Sequence, residues 1–462
     1  MRGEFMEKLF KLKENHTTAK TEIIAGITTF MTMAYILAVN PNLLSAAGMD
    51  RGAVFTATAL SAMIGTLIMA FAANYPFVLA PGMGLNAYFA FTVVGIMGYS
   101  WQTALAAVFC EGIIFIILSM TNVREAIFNA IPMSLKYAVS AGIGLFIAFI
   151  GLQNAHIVVL NDTTLVSMYS FKEAIADGTM KTTGITVLLA LIGVLITAVL
   201  VIKNVKGNIL WGILITWGIG ILCQLTGLYV PNAEFGMYSL LPDFSGGLKI
   251  QSIMPTLGQV FKIHPKEILS VNFVIVLFAF LFVDLFDTLG TLIGVSSKAE
   301  MLDEEGKLPR IKGALLADAC ATTIGAVLGT STVTTFVESA SGVSEGGRTG
   351  LTAFTSAVLF GLAVFLSPIF LAIPSFATAP ALILVGFLMI GSVMKIDFND
   401  MTEAIPAFIA MMAMPFLYSI SEGIAFGVIS YVVLNFATGR KERLNVLLCV
   451  LAVLFVLKYI VI

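Results

Sequence analysis

The chain has 462 residues, of which 58% are hydrophobic and 11% are charged, against roughly 25% charged residues in an ordinary soluble domain. Apolar runs recur along its whole length, which excludes a soluble protein and predicts one polytopic membrane domain. The net charge of −2 gives no reason to expect nucleic acid as a partner. The basic N-terminal stretch lacks a short cleavable signal, so the first apolar run is expected to act as the retained membrane signal.

Fourteen segments are apolar enough to enter a bilayer, which takes about 17 to 25 residues per helix. Spans 1 to 7 are predicted at residues 21–44, 52–73, 77–96, 101–120, 133–157, 185–203 and 208–229. Spans 8 to 14 are predicted at residues 271–296, 313–329, 333–346, 350–373, 377–395, 404–420 and 422–438. An extra C-terminal apolar segment, 444–461, either crosses the membrane again or lies along it. The sequence therefore predicts an all-α polytopic membrane protein with 14 transmembrane segments.

Spans 3 and 10 are poor membrane helices, because Pro, Gly or hydroxyl residues interrupt them at 80–86 and at 329–339. Irregular backbone at membrane depth is tolerated only where it is buried in protein or lines a cavity. Paired broken segments at matching places in two halves point to the binding site of a transporter. Seven spans per half is an odd number, so the second half enters the membrane from the opposite side, as in an inverted repeat.

The positions of Lys and Arg predict the orientation, because short cytoplasmic loops collect basic residues. An N-terminus in the cytoplasm agrees with most of the basic loops and predicts a multi-pass protein of the cell membrane. The basic loop positions that support this orientation are Arg124, Lys203, Lys206, 298–312, Arg348, Lys395 and 440–443.

Two carboxylates, Asp284 and Asp287, lie three residues apart in the apolar run of span 8. An ionised Asp near the centre of a membrane helix costs about 2.5 to 3.5 kcal/mol on insertion scales, so such residues are functional by default. Residues three apart share one face of a helix. Glu338 lies in broken span 10 and Asn86 in broken span 3, and an inverted repeat would bring both to the membrane midplane beside the two Asp residues.

This predicted pocket has several hydrogen-bond acceptors, while the nearest basic residues, Lys298 and Arg348, lie at the ends of spans. Bonds from N–H groups to carboxylates are about twice as strong as neutral ones, which favours a donor-rich ligand. A planar heterocycle with N–H groups, an organic cation or a metal ion would fit, and an anion would fit badly. Burial disfavours the charged form of an acid, so cation-coupled symport with proton uptake is the resulting hypothesis.

Several other residues receive less specific interpretations. Glu111 and Asp318 adjoin no break in their own helices and are interpreted as packing residues. Gly84 either permits close helix packing or lines the ligand site.

The spacing of His and Cys residues predicts no metal site, and the absence of a Gly-rich phosphate-binding motif argues against bound ATP. No metal and no cofactor are therefore expected.

Four motifs, at 26–35, 81–87, 284–290 and 334–339, together resemble those of the AzgA-like purine permeases in the nucleobase–ascorbate transporter superfamily. The resemblance covers nearly the whole chain. It implies 14 spans in two inverted sevens and short extended strands in spans 3 and 10. It also implies a core domain from 21–120 and 271–373 and a gate domain from 133–229 and 377–438.

The resemblance also implies the residues of the site. Gly84 and Asn86 correspond to the family's substrate-site pair in span 3, Asp284 and Asp287 to the acids of span 8, and Glu338 to the acid of span 10. The family's substrates are hypoxanthine, guanine and adenine, usually taken up with protons, so H⁺ is expected as the coupling ion rather than Na⁺. Proton coupling is expected to involve Asp284, Asp287 and Glu338. The sequence leaves the oligomeric state open, and a homodimer is one possibility.

Together, the residues and the resemblance favour the hypothesis of secondary active import of purine nucleobases by proton symport through alternating access, without enzymatic chemistry. One alternative is an anion transporter of the sulfate or bicarbonate type with the same architecture, which the acidic pocket disfavours. Another is a membrane-embedded enzyme that uses Asp284 and Asp287 as an acid/base or metal pair.

Overall fold

The computed structural model describes residues 7, 9–121, 131–232, 237–244, 250–263, 268, 270–298, 301 and 308–461. Arg124 and part of the 298–312 loop, both used above to predict the orientation, lie outside these residues. Within the described ranges, ten helices are long and apolar enough to cross a bilayer, and they coincide with spans 1, 2, 4, 5, 6, 7, 9, 11, 12 and 14. Span 8 is a long helix, span 13 is a shorter apolar helix, and spans 3 and 10 are interrupted.

The first seven spans are helical except at span 3, where the chain is extended before it becomes helical. Their bounds are Ala19–Met33 with Ile36–Ser45, Arg51–Ile68 with the π-helical Met69–Ala73, strand β1 at Leu79–Pro81 with Met83–Ala87 and the π-helical Tyr88–Ile96, Trp101–Ser119, Met133–Asn154, Thr183–Ile202, and Asn208–Leu225. The connection between spans 5 and 6 holds a hairpin of β2, Val158–Asn161, and β3, Leu165–Met168.

The second seven spans repeat this pattern, with the extended stretch in span 10. Their bounds are Val271–Lys298, Ile311–Leu328, strand β4 at Val333–Thr335 with Ser339–Ser344, Gly350–Ala363 with Ser367–Ala372, Ser375–Ile390, Met401–Phe416, and Ile420–Ala437. The extra apolar segment forms a helix at Val446–Val461. These elements confirm the predicted fold of 14 segments in two halves of seven, with extended stretches in spans 3 and 10.

Strands β1 and β4 pair antiparallel, with Leu79 opposite Thr335 and Pro81 opposite Val333. Equivalent spans of an inverted repeat run in opposite directions, so antiparallel pairing is the arrangement that the repeat predicts. Local sequence favours extended backbone at both places: the β-branched residues of β4 prefer strands, and the missing N–H of Pro81 removes a helical donor. We call this two-stranded element the strand crossing.

The helices pack in two groups. In one group, span 9 packs against spans 2 and 4, and span 11 packs against spans 1 and 2. In the other, span 12 packs against spans 5, 6 and 7, and span 13 packs against spans 5 and 14. Small residues permit these close approaches: a Cβ atom on Gly65 would lie only 2.6 Å from the Cβ of Ala321. Such small-residue contacts are the usual means of packing helices in a membrane.

The C-terminal helix packs against span 14 and also reaches span 8, where the ring of Phe455 lies 5.8 Å from that of Phe278. The turn before this helix is tied to the start of span 13, because Arg440 and Arg443 both bind Asp400 at 2.7 Å. Hydrogen bonds from Thr402 and Arg443 hold the pKa of Asp400 well below its usual range. The extra segment is therefore an integral part of the fold.

Candidate functional site

The strand crossing brings the interrupted parts of spans 3 and 10 together inside the protein. All three residues of each strand are buried. The backbone pairing continues beyond both strands, since Gly82 N–H donates to Thr332 O at 3.0 Å and Phe336 N–H donates to Val78 O at 3.0 Å. The functional candidates of spans 3, 8 and 10 lie around this element.

Asp284 is fully buried and lies beside the hydroxyl of Thr288, one helical turn further along span 8. Thr288 Oγ1 lies 3.0 Å from Asp284 Oδ1, 3.0 Å from Asp318 Oδ2 and 2.7 Å from Thr334 Oγ1. One hydroxyl group therefore links an acid of span 8, an acid of span 9 and strand β4.

Asp287 is only half-buried and lies at the side of the strand crossing. A Cβ atom on Gly82 would lie 3.3 Å from Asp287 Oδ2 and 2.7 Å from Thr334 Cγ2. The carboxylate of Asp287 is also close enough to those of Asp318 and Glu338 to interact with them electrostatically. The structure thus brings Asp287 and Glu338 into one neighbourhood, as the sequence predicts.

Glu338 lies just after β4 and immediately before the helix Ser339–Ser344, and it is half-buried. Its Oε1 atom accepts a hydrogen bond of 2.6 Å from the hydroxyl of Tyr35, a fully buried residue of span 1. The sequence does not predict a role for Tyr35. The only signal that could have found it is its position at the end of the 26–35 motif.

Asn86 and Gly84 both lie on the short helix Met83–Ala87, but they face different surroundings. Asn86 is fully buried; its amide N–H donates to Pro81 O at 3.3 Å, and its oxygen accepts a hydrogen bond from Ser331. These contacts join span 3 to the residues that precede β4. Gly84 faces spans 5 and 14, since a Cβ atom there would lie 2.9 Å from Ile143 Cγ2 and 3.6 Å from Ile420 Cδ1.

The two acids predicted to be packing residues, Glu111 and Asp318, are fully buried against β4 and its approach. Glu111 accepts a hydrogen bond of 2.9 Å from the hydroxyl of Thr332. Asp318 accepts one of 3.1 Å from the backbone N–H of Thr335. Neither acid adjoins a break in its own helix, yet each faces the break in span 10, which only the tertiary packing reveals.

The comparisons with known proteins agree with this architecture. Residues 20–426 match the model of Xan_ur_permease, described as a permease family. The chain is 46% identical to the guanine/hypoxanthine permease PbuO of Bacillus subtilis, over 97% of this chain and 98% of the relative. It is 43% identical to the adenine permease AdeP of Escherichia coli, over 98% of this chain and 96% of the relative.

A solved structure shares the fold. The transmembrane domain of the cyanobacterium bicarbonate transporter BicA matches with a TM-score of 0.59 and 15% sequence identity, over 88% of this chain and 97% of that domain. At this identity the likeness concerns architecture and carries nothing about the substrate. The family match and the two permeases, which cover nearly the whole chain, show that the protein is a membrane transporter and not an enzyme. The chain therefore belongs to the Xan_ur_permease family, in its AzgA-like purine permease group, as its four motifs indicate.

Proposed function

We propose that this protein is a secondary active transporter that imports purine nucleobases, namely hypoxanthine, guanine or adenine, together with protons. The observation that carries the proposal is the presence of two half-buried carboxylates, Asp287 and Glu338, at the point where the broken spans meet. The relatives named for guanine/hypoxanthine and adenine support the same substrate class. We further propose that it lies in the cell membrane with its N-terminus in the cytoplasm, which the basic loops favour.

Burial supports a division of labour among the site residues. Asp287 and Glu338 are half-buried, so their oxygens are the ones that accept hydrogen bonds from the N–H groups of a purine. Asp284 is fully buried beside Thr288, which suits it to bind the coupling proton. The amide of Asn86 already joins Pro81 and Ser331, so this residue supports the shape of the site.

The ligand is recognised by hydrogen-bond chemistry alone, and no covalent step is needed. A purine nucleobase is planar and carries ring N–H groups that can meet carboxylate oxygens in charge-assisted hydrogen bonds. An inorganic anion has no N–H donors and would meet two carboxylates instead. The acids at the strand crossing therefore favour the purine over the anion alternative, even though a bicarbonate transporter shares the fold.

The two helix groups support alternating access between a core and a gate domain. The core, 21–120 and 271–373, contains the packed spans 1, 2, 4, 9 and 11, and the gate, 133–229 and 377–438, contains spans 5, 6, 7, 12, 13 and 14. Gly84 of the core lies against Ile143 and Ile420 of the gate, where a small residue lets two surfaces approach and move past each other. In this mechanism the purine moves with the strand crossing as the core changes position against the gate.

Uptake into proteoliposomes tests the substrate class. Purified protein should accumulate labelled hypoxanthine and should not accumulate labelled sulfate. A competition panel of hypoxanthine, guanine, adenine, xanthine and uracil would then rank the substrates. Sulfate uptake without purine uptake would reject the proposal in favour of the anion transporter.

Replacing one acid tests the site. Glu338→Gln removes the charge but little volume, so purine affinity should fall about 10- to 100-fold, the range expected when a hydrogen bond to a charged group is lost. The control is Glu14→Gln, which breaks only an exposed ion pair of 3.0 Å with Lys11 and should leave uptake unchanged. Normal uptake by correctly inserted Glu338→Gln protein would remove Glu338 from the site.

A further inference from the structure

Span 1 contacts span 10 at Glu338. The helix of span 1 is divided into Ala19–Met33 and Ile36–Ser45, and Tyr35 is one of the two residues between these segments. The phenol ring is fully buried, so packing defines the direction of its hydroxyl group. This hydroxyl donates to Glu338 Oε1 at 2.6 Å, a short and charge-assisted hydrogen bond when the acid is ionised.

The backbone of Glu338 is held from the same side. Ser341 Oγ donates to Glu338 O at 2.7 Å, and it also lies 2.9 Å from Thr32 Oγ1, one turn before Tyr35 in span 1. The packing is close here as well, because a Cβ atom on Gly342 would lie 2.7 Å from Ala25 O. Span 1 thus contacts both the carboxylate of Glu338 and the turn that carries it.

We propose that Tyr35 is a positioning residue for Glu338 and, through it, sets the preference between purines. A free carboxylate can meet two adjacent N–H groups with its two oxygens, in a bidentate pair. Because Tyr35 donates to Oε1, the carboxylate is oriented to present Oε2 to a single ring N–H. The inference rests on the proposed function, in which Glu338 binds a purine N–H group.

This geometry distinguishes hypoxanthine from guanine. The six-membered ring of hypoxanthine offers one N–H group, whereas guanine offers the same N–H with an amino group beside it. With Oε1 already accepting from Tyr35, a second hydrogen bond from the amino group of guanine would share that oxygen and be weaker than a bond to a free oxygen. Loss of the Tyr35 hydroxyl would leave Oε1 free, so guanine could bind both carboxylate oxygens of Glu338. Hypoxanthine would gain no second hydrogen bond, and the carboxylate that accepts its N–H group would no longer be held in position.

The test is uptake of hypoxanthine and of guanine by Tyr35→Phe protein in proteoliposomes, with KM and kcat measured for each. The KM for hypoxanthine should rise about 10-fold, as expected for loss of a hydrogen bond to a charged group, while the KM for guanine rises clearly less and kcat changes little. The matched control is Tyr431→Phe, because the Tyr431 hydroxyl donates to Glu403 at 2.9 Å, a Tyr–Glu pair within spans 13 and 14. This control should leave both KM values unchanged.

An unchanged ratio of the two KM values in folded Tyr35→Phe protein would overturn the role of Tyr35. If both KM values rise equally and the melting temperature falls, Tyr35 is a structural residue. Failure of wild-type protein to take up either purine would instead reject the proposed function itself.

A second substitution covers the case in which the Phe variant does not fold. Replacing Tyr35 with 3,5-difluorotyrosine keeps the ring and the hydroxyl, and the fluorine atoms make the hydroxyl a stronger hydrogen-bond donor. A stronger bond to Glu338 Oε1 should increase the preference for hypoxanthine over guanine, measured as the ratio of the two KM values. An unchanged or reversed ratio in the folded variant would overturn the proposal.

Discussion

The hydroxyl of Thr288 lies 3.0 Å from a carboxylate oxygen of Asp284 and 3.0 Å from one of Asp318. A hydroxyl has one hydrogen to donate, so it serves only one of these oxygens at a time. A proton bound to either acid would supply a second hydrogen and would remove the repulsion between two buried like charges. Under the proposed proton symport, Asp284 and Asp318 are therefore the acids best suited to carry the coupling proton, which adds Asp318 to the acids proposed from the sequence.

Asp318→Asn tests this assignment. The Asn side chain retains an oxygen that can accept the hydrogen bond from Thr335 N–H, now 3.1 Å from Asp318 Oδ1, but it carries no proton. Concentrative hypoxanthine uptake should fall about 10-fold or more, on the scale of a lost charged hydrogen bond, while hypoxanthine binding to solubilised protein is retained. Glu111→Gln is the control, because Glu111 is also a buried acid that holds the approach to β4, through the hydroxyl of Thr332. Proton-driven uptake at the wild-type rate would exclude Asp318 from coupling.

At the scale of elements, the strand crossing depends on a close approach at Gly82. Strand β1 ends at Pro81 and the next helix begins at Met83, so Gly82 lies where the chain turns from strand to helix. Its missing side chain leaves room for Thr334 of the opposite strand and for the carboxylate of Asp287. The geometry of the crossing and the position of an acid therefore depend on the same glycine.

Gly82→Ala should disturb both features. The added Cβ atom would lie 2.7 Å from Thr334 Cγ2, so the crossing must open, at a destabilisation of about 1 to 3 kcal/mol for overpacking. Thermal unfolding in detergent should show a lower melting temperature, and purine binding should weaken as well. Gly218→Ala in span 7 is the control, because nothing lies within 4 Å of a Cβ atom there. Wild-type stability and binding in Gly82→Ala would contradict this account.

At the scale of the whole molecule, the antiparallel strand crossing joins the two halves of the fold inside one helix group. The acids of spans 8, 9 and 10 then lie at the contact between halves rather than within either half. In the proposed proton symport, the position of the core would be coupled to the protonation of these acids. Net purine uptake and purine exchange should consequently respond differently to a proton gradient.

This difference can be measured in proteoliposomes. Net hypoxanthine uptake should collapse when a protonophore dissipates the proton gradient, because concentrative transport then lacks its driving force. Exchange of labelled for unlabelled hypoxanthine should continue, since exchange needs only movement of the loaded core. Net uptake that persists under a sodium gradient alone would identify Na⁺ as the coupling ion.

The amino-acid sequence is enough to predict the membrane class, the 14 segments, the breaks in spans 3 and 10 and the family. These properties depend on local composition: long apolar runs form membrane helices, and Pro, Gly and hydroxyl residues interrupt them. Asp284, Asp287 and Glu338 were visible for the same reason, because an acid in an apolar run is conspicuous without any knowledge of its neighbours.

The residues that surround these acids are set by tertiary packing. Tyr35 and Glu338 are 303 residues apart in the chain but joined by a hydrogen bond, and Asp318 meets Thr288 of another helix. The sequence predicts Asn86 as a substrate-site residue, and the structure adds that its amide joins Pro81 and Ser331. Contacts between distant segments depend on how the two inverted halves pack, and local hydrophobicity carries no information about that packing.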